Sequence, residues 1–89
     1  MTGDQILAAC DKYLDFLEKN GYSAKKHSDL KGPQTHESLE HAAWMLEQIP
    51  WFINNDDHVA KAMRWLCFVQ GVLWREGLTT IEEMRNDNR

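Results

Sequence analysis

At 89 residues the chain is sized for one domain with a modest core, and 43 % hydrophobic with 27 % charged residues is the balance of a globular protein. A net charge of −4 argues against bulk nucleic acid as a partner, because attraction to phosphate needs a basic surface; a local basic patch stays open. No basic flank and apolar run mark a secretory leader at the N-terminus, and Arg64, Gln70 and Arg75 interrupt the longest apolar stretches, which speaks against a membrane span.

The first helix is expected to begin near Gly3. Thr2 and Gln5 have capping-box spacing, in which each side chain satisfies a free backbone N–H of the first turn. Ile6, Cys10, Tyr13, Leu14 and Leu17 recur at helical spacing, and Asn20-Gly21 is a stop signal. Residues 22–34 form a long irregular connection that concentrates Lys25, Lys26, His27 and Lys31 and ends at Gly32-Pro33.

A second helix is expected from about Thr35, with Leu39, Ala42, Ala43, Leu46 and Ile49 inward. Pro50 lacks an N–H, so a kink or break is predicted there, followed by a hydrophobic corner of Trp51, Phe52 and Ile53. Asn54, Asn55 and Asp56 offer turn chemistry and an N-cap for a third helix from about Asp57 to Glu76. A short fourth helix is capped by Thr79 with Glu82 or Thr80 with Glu83, and the tail after Arg85 is polar. The expected fold is thus all-α, a compact bundle of three main helices plus a short C-terminal helix, filling one domain over residues 1–89.

The third helix is the richest element. It carries two of the four tryptophans and reads as apolar around most of its circumference, which demands enclosure. At about 100° per residue, a broad face holds Val59, Ala62, Met63, Trp65, Leu66, Cys67, Val69, Leu73 and Trp74. A narrow face holds Lys61, Arg64, Phe68, Gly71 and Arg75. So much apolar surface is expected to exceed what the shorter segments cover, which points to self-association.

Two residues break the pattern. Gln70 lies in the apolar face, either as a satisfied core amide or as a pin fixing the register of a self-associating interface with Trp65 and Trp74. Phe68 lies among cations. Arg64 and Arg75 could clamp an anion bidentately while Phe68 stacks on a base, with Lys61, Lys25 and Lys26 assisting. Alternatively, the arginines pair with Glu82, Glu83 or Asp87 and Phe68 packs on helix four. The remaining tryptophans, Trp44 and Trp51, are expected mostly in the core, although four in so short a chain make at least one interfacial tryptophan plausible.

Cys10 and Cys67 fall on apolar helical positions; a bridge between them stays open, but nothing else marks an oxidising compartment, so a reduced cytoplasmic protein is expected. His36 with Glu40 and Glu37 with His41 are i,i+4 pairs that suit a helix surface better than a metal. No phosphate loop, nucleophile elbow or close-spaced ligand set is visible. No metal, no cofactor and no catalytic residue is expected.

Three pieces of the C-terminal part carry a family pattern: Lys61-Ala62-Met63-Arg64-Trp65-Leu66, Phe68-Val69-Gln70-Gly71-Val72-Leu73-Trp74, and Gly77-Leu78 with Thr80-Ile81-Glu82-Glu83-Met84-Arg85. They resemble a group of small accessory proteins encoded by tailed bacteriophages. The resemblance brings no catalytic motif. It implies a non-enzymatic protein acting in the host cytoplasm by binding: counter-defence, through sequestering a small anionic nucleotide signal or blocking a host protein. A self-assembling structural or regulatory phage component is the alternative, and a small enzyme the third.

Overall fold

The structure, a computed structural model, describes residues 1–32, 34–56 and 58–89. They form four helices, α1 (Gly3–Lys19), α2 (Thr35–Asp56), α3 (Val59–Arg75) and α4 (Ile81–Asp87), with no strand among the described residues. The all-α expectation, with three main helices and a short fourth, holds. α2 packs against both α1 and α3, which touch each other less. Ile6, Cys10 and Leu17 meet Leu39, Leu46 and Ile49 of α2 and Leu66, Val69 and Leu73 of α3 in one core.

Local chemistry sets most helix ends. Thr2 Oγ1 accepts the Gln5 N–H at 3.2 Å and the Gln5 side-chain carbonyl accepts the Thr2 N–H at 2.7 Å, the reciprocal capping box. At the other end of α1, Gly21 takes φ 88°, and the Tyr22 N–H closes on the Leu17 carbonyl at 2.9 Å. In α4, Thr80 is the capping residue, its hydroxyl accepting the Glu83 N–H at 3.0 Å.

α2 departs from expectation at its C-terminal end. The helix is not broken at Pro50 but runs through it to Asp56. Leu46, Ile49 and Phe52 are all buried, so packing on both sides of the proline holds the helical path despite the missing N–H. Trp51, Phe52 and Ile53 are therefore a helical turn, not a folded-back corner. Asn54 and Asn55 extend α2 instead of capping α3, whose N-cap, His58, makes no side-chain capping bond. The expected breaker Pro33 and the expected helix start Asp57 lie outside the described residues.

α3 is enclosed only in part: Val59, Met63 and Trp65 of its broad face are half-buried. Ala62, Leu66, Val69, Gln70 and Leu73 are buried by their own chain, in an arc of about 100° by helical spacing. Cys67 and Trp74, placed on the apolar face by their chemistry, face water. An aliphatic stripe one side chain wide is enough for two neighbouring helices to enclose it.

The tryptophans are also not core residues: Trp44 and Trp65 are half-buried, while Trp51 and Trp74 are 54 % and 50 % exposed. Both cysteines are free, Cys10 buried and Cys67 exposed, and burial, with Asp11 beside it, pushes the Cys10 thiol up to about 12.

Candidate functional site

The irregular connection after α1 is anchored on α2 by three bonds. The Lys25 N–H donates to the Glu40 carbonyl at 3.1 Å, and the His27 N–H donates to His41 Nδ1 at 2.9 Å. The His27 ring nitrogen Nε2 lies 3.0 Å from Glu40 Oε1. Glu40 also meets His36 at 3.6 Å, the i,i+4 pair expected on the helix surface. The anchored loop stands opposite α3, and an open cleft of about 700 Å³ lies between them. That volume is in the range of small-molecule sites.

Phe68, Gly71 and Arg75 line this cleft from α3, together with Cys67 and Glu76; His27, Ser28 and Leu30 line it from the loop, and Ser38 and His41 from α2. Phe68 is 58 % exposed, so its ring offers a stacking face rather than packing on α4. No atom lies within 4 Å of where a Gly71 side chain would begin, so this glycine opens the cleft. Among the described residues Arg64 and Arg75 make no ion pair with a carboxylate, so the pairing with Glu82, Glu83 or Asp87 is not formed.

The other expected cations stand elsewhere. Lys61 Nζ sits 4.3 Å from the Phe52 ring centroid and 5.9 Å from that of Trp65, and Lys26 Nζ sits 5.2 Å from that of Trp44. Trp44 and Trp65 are themselves 5.9 Å apart, and Phe52 meets Trp65 edge-on at 4.8 Å. These two lysines cover an aromatic ridge and do not line the cleft; Arg64 and Lys25 are exposed and also outside its lining. The expected set of six is thus split, with Phe68 and Arg75 at the cleft, Lys26 and Lys61 on the ridge, and Arg64 and Lys25 at neither.

Gln70 is 4 % exposed and fully engaged within the chain. Its Nε2 donates to Tyr13 Oη at 3.0 Å and Asn88 Oδ1 at 2.6 Å, and its Oε1 accepts from Asn88 Nδ2 at 3.1 Å. Tyr13 in turn donates to Asp87 Oδ2 at 2.6 Å, and Lys12 Nζ meets Asp87 Oδ1 at 2.8 Å. This is the geometry of a satisfied core amide, with both N–H donors used within the chain. Trp74, by contrast, faces water at the surface.

His41, His27, Ser28 and Ser38 were not singled out as site residues by sequence. For His27 and Ser28 the one legible signal was the concentration of histidine and lysine in a long loop; Ser38 and His41 lie on α2, and the convergence of all four with α3 depends on how the loop folds back. Among the described residues no three His, Cys, Asp or Glu side chains converge as a metal would require, and no helix is long and apolar enough to cross a membrane. The fold and site define a small helical bundle with a ligand-sized cleft between a loop and one helix. Comparison with family models, with curated proteins and with solved structures gave no match.

Proposed function

We propose that this protein is a non-enzymatic binding protein, a phage accessory factor of the host cytoplasm whose cleft sequesters a small anionic nucleotide in counter-defence. The observation that carries the binding reading is the grouping of an exposed aromatic ring, an arginine without an ion-pair partner among the described residues, and an open glycine on one wall of a ligand-sized cleft. A planar base stacks on Phe68, and Arg75 meets a phosphate. The phage context is what the C-terminal resemblance supports.

A thermal-shift screen against cyclic mono- and dinucleotides tests it. A ligand at a hundredfold excess over its Kd stabilises the folded state by about 2.7 kcal/mol, a readily measured rise in Tm. Phe68→Ala and Arg75→Ala are expected to abolish the rise. Gly71→Leu is the sharper variant: leucine is the better helix former by roughly 0.8 kcal/mol, so the free protein keeps or raises its Tm while the side chain fills the cleft and removes the ligand response. A screen in which no nucleotide shifts Tm removes the nucleotide reading; turnover of one revives the enzyme.

A second reading is favoured by Trp74, an exposed tryptophan of the kind enriched in protein-docking hot spots. On that reading the outer side of α3 blocks a host protein or meets another copy in a reversible homo-oligomer.

A further inference from the structure

One of the three bonds that anchor the cleft's loop wall ends on an imidazole that must be neutral. His41 Nδ1 accepts the His27 backbone N–H at 2.9 Å. A ring nitrogen that accepts a hydrogen bond carries no proton, so His41 is the neutral tautomer with its proton on Nε2. The imidazolium has an N–H at both positions and no acceptor. Protonation would therefore set two N–H groups against each other where the loop is now tied.

We propose that His41 is a proton-operated catch: neutral, it pins the 27–32 wall to α2 and keeps the cleft in shape; protonated, it lets that wall go. The bond that fails is the His27 N–H to His41 Nδ1 bond, and the proton comes from solvent. This deepens the binding reading above, on which its regulatory meaning rests.

The surroundings set the sign. Burial disfavours charge on His41 most, and His27 and Lys26 of the loop add repulsion, so its pKa is lowered from the ordinary 6.5. From α2, Glu40 is committed to His27 and His36. From α3, Arg75 and Glu76 line the same cleft with opposite charges, and the Cys67 thiol is nearby. The Trp44 ring lies 5.4 Å away on one side. The His27 ring is held separately, with Nε2 3.0 Å from Glu40 Oε1. The two histidines are separable, since the His27 amide bond depends on the state of His41. The catch is closed above about 6.5 and opens as pH falls through the lowered His41 value.

Nitrogen-15 NMR on the full chain tests this. The His41 ring shifts report the tautomer directly, and hydrogen exchange reports protection of the His27 amide. From about pH 7.5 down to about one unit below the His41 midpoint seen in the ring shifts, protection should fall about tenfold in the native protein, tracking that titration. In His41→Asn the side-chain oxygen stands near the place of Nδ1, accepts the same bond and does not titrate, so protection should stay flat. In His41→Phe it should be low at both pH values.

A protonated Nδ1 at neutral pH overturns the proposal. So does unchanged His27 protection in the native protein across the titration, or equal loss in His41→Asn. The native ring shifts decide even if a variant fails to fold. Because these readouts use the free protein, a working catch with no nucleotide response removes only the ligand reading, and nucleotide binding with a pH-independent loop removes only the catch.

Discussion

Tyr13 does more than fill space. It lies in the core, donates to Asp87 and accepts from Gln70, so one hydroxyl joins three helices. Burial and the neighbouring Asp87 push its pKa well above the usual tyrosine value, so the hydroxyl keeps its proton at neutral pH. Tyr13→Phe keeps the ring and removes both bonds, leaving the Asp87 carboxylate one donor short and one Gln70 N–H unmet. Loss of such a bond costs roughly 1–3 kcal/mol when a partner stays buried. A urea midpoint lowered by that free energy divided by the slope, with the slope constant, is expected; an unchanged midpoint would mean that water replaces the hydroxyl freely. Capping at Thr2 and Thr80 was legible from residue spacing because it is local. The Tyr13–Gln70–Asn88 chain was not, because its members lie 57 and 18 residues apart.

α4 shows how an element too short to stand alone is held. It has seven residues and buries none of them, and isolated helices of that length do not persist in water. Its end is tied instead by polar bonds: Asp87 to Lys12 and Tyr13, Asn88 to Gln70, and the Arg89 carbonyl to the Gln5 side chain. Behind its start lies a groove of about 410 Å³ lined in part by Phe16, Leu73 and Leu78. Burial pushes the Asp87 carboxyl up, but the bonds from Lys12 and Tyr13 and the lysine charge outweigh it and hold the group below its ordinary 3.8. A lowered carboxyl stabilises the fold above its unfolded value and loses that contribution as pH falls through the folded one. Acid unfolding should therefore release α4 below about 3.8, and Asp87→Asn should flatten that limb while lowering stability at neutral pH. Amide exchange across α4 that is indifferent to both changes would contradict the tie.

For the whole molecule, the enclosed α3 stripe changes what self-association means. Leu66, Val69 and Leu73 are covered within one chain, and folding without a second copy is the prediction. Tm should be independent of protein concentration over a hundredfold range (about two decades), whereas an obligate dimer's rises with concentration. Any homo-oligomer is then a contact of folded subunits through exposed side chains such as Trp74.

Helix number, caps and the inward aliphatic positions were readable from the chain, because period and capping act over a few residues. Three things were decided only by packing. Pro50 stays helical because Leu46, Ile49 and Phe52 are buried around it. The tryptophans sit at the rim because the aliphatic residues of three helices already fill the centre. The cleft exists because the loop after α1 folds back onto α2 at Glu40 and His41, beside Phe68 and Arg75. Residue type sets which side chains can bind or bury, but only long-range contacts, which periodicity cannot encode, settle which of them meet.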